Sequence, residues 1–134
     1  QNYENQIGNV ELQTLANKFI LLVNAPELEL RNSSLYEYSN GITGSEKTRL
    51  YHYDELNNAN RELIEFNRIN MTFVLPTTKN KLENNDFGVA KMNGCQFNGM
   101  SVQNKDQHID SYNNYFDNNN YAFVLKPESL RSFN

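Results

Sequence analysis

The three prolines of this chain each close a short apolar run, and that arrangement limits its possible folds more than any other feature. Lys18-Phe19-Ile20-Leu21-Leu22-Val23 stops at Asn24-Ala25-Pro26, Met71 to Leu75 stops at Pro76, and Ala122-Phe123-Val124-Leu125 stops at Lys126-Pro127. Proline has no N–H to give a β-ladder, so each run reads as a strand with a fixed end. The first run is nearly continuous in its apolar character, the pattern of a strand buried on both faces of a parallel sheet.

Between the runs the pattern changes. Asp54 reads as the cap of a helix with Glu55 in its first turn, where acidic side chains complement the dipole. Leu56, Ala59, Leu63 and Phe66 then recur at spacings of three and four and give that helix one apolar face. Cys95 to Val102 alternates in part and reads as a further strand. Residues Gln1 to Leu12 are polar and unpatterned, Thr77 to Asp86 reads as loop, and Asn104 to Asn120 is polar with anchors at Ile109, Tyr112 and Phe116. The polar stretch from Glu27 to Arg49, with Gly41 and Gly44, reads as a long excursion between two structural halves. Short strands with a helix between them make the chain α/β, with no internal repeat.

Composition excludes several function classes. The 134 residues suffice for one modest domain. A net charge of -4, with Lys and Arg scattered, lacks the basic stripe that nucleic-acid binding needs. It also offers little to an anionic membrane. A single cysteine, Cys95, excludes an internal disulfide framework and reads as a buried, inert thiol. No apolar run approaches the roughly 18 residues of a membrane span, and no signal-peptide pattern opens the chain. The expected location is therefore cytoplasmic or peripheral to a membrane. The chain opens on Gln1 rather than Met, which reads as a processed chain or a piece of a longer one. His52 and His108 are the only histidines, and neither has a partner at triad spacing. Asp106, Asp110 and Asp117 lack the Gly and Glu of a calcium-binding EF-hand loop. No catalytic residue and no metal ligand is assigned.

Several segments together resemble a known family. Asn93 to Gln103, NGCQFNGMSVQ, resembles the Gly-Cys-Gln strand in the second catalytic block, the Y region, of phosphoinositide-specific phospholipases C. Tyr121 to Arg131, YAFVLKPESLR, resembles that block's closing Gly-Tyr-Val-Leu-Lys-Pro-x-x-Leu-Arg segment. Glu65 to Pro76, EFNRINMTFVLP, looks like its helix end and following strand, and Leu15 to Val23 is similar to the last strand of the first block, the X region. The resemblance divides the chain into an X-like end over 1–26, a linker-like loop over 27–49 and a Y-like half over 50–134. It implies the C-terminal half of a distorted TIM (β/α)8 barrel. Such barrels run to about 250 residues, so a complementary X-like half-barrel is expected on the same chain or another.

What the resemblance implies for chemistry is mostly loss. The family cleaves a phosphodiester with two histidines and a Ca2+ held by acidic residues, all belonging to the X region upstream of Leu15. No cofactor is therefore expected in this chain, and Ca2+ only where an X half brings its ligands. The family's paired lysines on the X-region strand fall at Leu22 and Asn24. Its Arg-x-Tyr before the proline falls at Phe73 and Leu75, and its phosphate-contacting Ser falls near Tyr51 or His52. Leu22, Phe73 and Leu75 cannot give an inositol phosphate the cationic and hydrogen-bonding partners it needs. This favours a catalytically inactive, structural or interaction module of a larger protein or complex. The alternatives are half of an active calcium-dependent phospholipase C, whose X half supplies the catalytic groups, and a non-catalytic lipid-binding module with peripheral membrane contact.

Overall fold

In the computed structural model, which describes residues 7–77 and 83–132, the run before Pro76 is the strand around which the rest is arranged. This strand, β4 (Met71–Leu75), lies between β3 (Thr48–His52) and β5 (Phe97–Asn98), parallel to both. A second parallel sheet pairs β1 (Leu22–Val23) with β2 (Gly41–Ile42). The helices are α1 (Glu27–Arg31), α2 (Arg61–Asn67), α3 (Gly88–Met92) and α4 (Gln107–Asn119). The molecule is thus mixed α/β with parallel sheets, and its described strands do not close into a barrel. Among the described residues, no helix is long and apolar enough to cross a membrane.

Parallel strands need cover on both faces, and here the two faces differ. Thr72 and Val74 of β4 stand in register with Arg49 and Tyr51 of β3, and Val74 with Asn98 of β5. Alternation puts these residues on one face. Val74 is fully buried there in a cluster with Leu63 of α2, Ala90 of α3, Tyr53, Phe87 and Cys95. Tyr112 and Tyr115 of α4 close the cluster, each with its ring centre 5.4 Å from that of Phe87. The opposite face carries Leu50, Met71, Phe73, Leu75 and Phe97. Only Met71 of these is fully buried.

The amino ends of β4 and β5 are tied by a buried amide network. Asn93 accepts from Asn60 N through Oδ1 at 2.8 Å and donates through Nδ2 to the carbonyls of Asn57 and Val89. Asn67 donates to the Asn93 carbonyl at 2.8 Å and accepts from Thr72 Oγ1 at 2.6 Å. Gln96 donates to the carbonyls of Asn67 and Asn70 and accepts from Thr72 N. Each of these polar groups is paired, as burial demands.

Several expectations are corrected. Of the first apolar run only Leu22–Val23 is strand, and Phe19, at 103% relative exposure, is fully in solvent. The stretch 27–49 is not a featureless excursion, since it holds α1, β2 and the start of β3. Asp54 does not cap a helix: it lies in a 3-10 turn (Tyr53–Glu55), and Ala59 has a positive φ of 52° that no helix tolerates. The helix begins at Arg61, capped by Asn60, whose side chain accepts from Leu63 N. Leu63 still reaches the core as its spacing predicted. Strand pairing after Cys95 spans only two residues. Ala122–Leu125 forms no strand, and Phe123 and Leu125 are exposed. The polar stretch ending at Asn120 is instead the longest helix, capped by Asp106 and closed by Asn120 in the left-handed conformation. The loop expected over 77–86 lies partly outside the described residues.

Replacing Asn93 by Ala removes the partner of Asn60 N and of the Asn57 carbonyl, while the Val89 carbonyl keeps its bond from Asn93 N. Urea unfolding should show a loss of about 3 kcal/mol. The same change at exposed Asn113 of α4 should cost less than about 0.5 kcal/mol.

Candidate functional site

Parallel α/β sheets place their ligand sites beyond the carboxyl ends of the strands. Those ends carry Asn24, Thr43, His52, Leu75, Pro76 and Gly99, and none of the six is Lys or Arg. Their polar groups engage one another. Thr43 Oγ1 donates to Asn24 Oδ1, and Thr43 N donates to the Val23 carbonyl at 2.9 Å. His52 Nδ1 lies 3.0 Å from the Pro76 carbonyl, and His52 N donates to Glu55 Oε2 at 2.6 Å. The carboxyl ends of β3 and β4 are thereby joined through a histidine and a carbonyl, and among the described residues these six end positions offer no Lys or Arg to a phosphate.

The five pocket positions read from the sequence do not converge. Leu22 and Asn24 belong to the β1–β2 sheet, where Leu22 lies against Gly41. Tyr51 is on the helix-covered face and packs against the core. Phe73 and Leu75 share the opposite face of β4 and line a cleft of about 510 Å³ beside β5. Phe73 stacks on Phe97 with ring centres 4.4 Å apart and planes 8° apart. On its other side the cleft meets Phe87, Tyr112, Tyr115 and Phe116, with Phe123 at its rim. Those aromatic residues escaped sequence reasoning except for Tyr112 and Phe116. The spacing of Ile109, Tyr112 and Phe116, with an Asp cap three residues earlier, was the signal for the helix that brings them here.

Two titratable groups meet at the floor of this cleft. Lys126 Nζ donates to the Asn67 carbonyl at 2.6 Å, at the carboxyl end of α2, where a cation is favoured. Burial nevertheless lowers its pKa to about 8, with nearby Arg68 adding to that shift and Cys95 opposing it. Burial pushes the Cys95 thiol up to about 11 against a contact from Asn67 Nδ2. Cys95 is protonated at neutral pH and no nucleophile. The Gly-Cys-Gln turn and the Lys-Pro segment therefore meet at the amino ends of the strands, in the polar network, away from the ends where ligands bind.

Among the described residues, no group of three or more His, Cys, Asp and Glu stands together as a metal site. Asp106 is occupied as a cap: its Oδ1 accepts from His108 N and Ile109 N, and Oδ2 accepts from Asn84. The fold and site define a chain of mixed α/β class with parallel sheets and an aromatic cleft at a sheet edge. No protein-family model matches it, and no curated protein or solved structure matches it either.

The two shifts predict a distinctive pH dependence. Folded Lys126 loses its proton near pH 8 and unfolded Lys126 near its ordinary 10.5. Between those values the unfolded chain binds more protons, so stability rises with pH. Folded Cys95 keeps its proton to about 11, while the unfolded thiol loses it near 9.0, so this group lowers stability above pH 9. Melting curves should rise between pH 8 and 9 and flatten beyond. In Lys126→Met the rise should vanish, leaving only the decline above pH 9.

Proposed function

We propose that this chain is a phospholipase C-like half-barrel without catalysis, acting as a structural or interaction module within a larger protein or complex. The order of elements supports the half-barrel. β3, α2, β4, α3, β5 and α4 follow one another, with each strand parallel to and beside the last. That succession is the repeating unit of a singly wound (β/α)8 barrel, whose strands neighbour one another in sequence order. A complementary X-like half on the same or another chain would supply the remaining strands.

The observation that carries the reading is the chemistry at the strands' carboxyl ends. In this fold catalytic and binding groups sit there, yet here Leu75 and Pro76 end β4 and His52 is engaged with the Pro76 carbonyl. A phosphoryl transition state needs preorganised charge, and losing one such partner typically costs about 10²–10³ in rate. The buried side-chain amides of Asn67 and Asn93 are satisfied within the scaffold.

Offered a short-chain phosphatidylinositol or its bisphosphate with saturating calcium, the chain in its native assembly should release no inositol phosphate above buffer. It should also fail to sediment with phosphoinositide liposomes. Calcium-dependent release would establish the active-half reading instead, and sedimentation without release would establish a lipid-binding module.

A further inference from the structure

The geometry points to β5 as an acceptor edge: we propose that the cleft beside it receives an apolar strand of a partner, running parallel to β5 and bonded to Asn98. This rests on the half-barrel reading for the partner's direction but on β5 itself for the site. Gly99 N donates to the Val74 carbonyl at 2.7 Å, and Val74 stands opposite Asn98 in the parallel register. In a parallel ladder a residue so bracketed turns both its N–H and its C=O away from that neighbour. The main-chain groups of Asn98 therefore face outward, and among the described residues β5 pairs with β4 alone.

The Asn98 side chain adds a second, independent sign. It lines the cleft, and its Oδ1 atom is buried without a hydrogen-bond partner, while Nδ2 reaches only the Cys95 carbonyl at 3.4 Å. Buried acceptors are ordinarily satisfied. The shape of the space also fits a strand. Phe97, Asn98 and Gly99 of the edge border it, as do Ala122, Phe123 and Val124, which follow α4. After β3 and β4, an intervening helix leads to a strand that joins the sheet; after β5, α4 leads to a segment that does not. The place of the next strand in the series is thus open and flanked by aromatic rings. An extended segment with alternating apolar side chains would meet both the Asn98 backbone and the Phe73–Phe97 stack. Strand addition of this kind gains affinity from main-chain bonds and selectivity from the alternate side-chain pockets.

The test uses a short synthetic peptide of alternating valine and threonine with terminal lysines, read by amide exchange in NMR. The peptide should slow exchange at the Asn98 amide by about tenfold and leave the Gly99 amide, already bonded to β4, unchanged. A proline-interrupted version should do neither. Asn98→Pro removes the outward N–H together with the side-chain amide, so it should still melt cooperatively but lose the response, whereas Asn98→Ala, which removes the amide alone, should keep both the fold and the response. Four results would overturn the proposal. The Asn98 amide could be protected in the free chain, as in a dimer paired through this edge. Asn98→Pro could unfold the sheet. The peptide could leave Asn98 unaffected. Octanoate could displace the peptide and shift the Lys126 and Phe123 signals, which would mark a small-amphiphile site. The half-barrel reading fails separately, when the native assembly contains no complementary β/α block, and that result leaves a peptide-responsive edge intact.

Discussion

Asn67 and Asn93, 1% and 0% exposed, hold together the end of the molecule at which β4 and β5 begin. Two amide side chains connect the carboxyl end of α2, the turn after α3, the loop before α2 and Thr72 of β4. Each contact is individually modest, about 1 kcal/mol net. Their joint effect is larger because the two amides at the centre are enclosed, and breaking one bond leaves the others of the same side chain unsatisfied. Gly94 is part of the same junction: its φ of 70° lets the chain reverse from α3 into the Gln96 contacts without strain. Lys126 reaches the same carbonyl of Asn67 from a distant part of the chain.

This placement divides the structure into a polar, self-satisfied end and an apolar, unfinished one. At the amino ends the polar side chains serve the scaffold. Along the uncovered sheet face and the β5 edge lie Phe73, Leu75 and Phe97, only partly shielded. Phe123 borders the same cleft, and Tyr121, Phe123 and Leu125 are exposed at 73%, 64% and 74%. Exposed apolar patches are commonly used for interaction, which is the role proposed for this face. An open strand edge adds directional main-chain groups to it. Together they are what the proposed interaction role rests on.

Much of the centre was legible in the sequence because local and global signals agree there. Met71 to Leu75 is apolar, β-branched in part and stopped by Pro76, and it is a strand over the same five residues. Leu63 and Cys95 were read as buried and both are. The rest was hidden where tertiary context overrode propensity. Asn-rich Gln107–Asn119 looks like loop by composition, yet the aromatic stripe of Tyr112, Tyr115 and Phe116 packs it as a helix against Phe87. Ala122–Leu125 has the composition of a strand but pairs with no strand among the described residues, and composition does not decide pairing. The candidate site was legible only in its losses. Phe73 and Leu75 do sit together, but Tyr51 turns to the opposite face, an alternation that becomes decisive only once the register is known.

The measurement that bears most directly on the central claim is peptide mapping by mass spectrometry of the native assembly that contains this chain. The account predicts a companion block, on the same polypeptide or a copurifying one, with short β/α units and without the paired histidines and acidic cluster of a calcium-dependent phosphodiesterase. A companion that retains both histidines and the acidic cluster would contradict it, because the chain described here would then be half of a working enzyme.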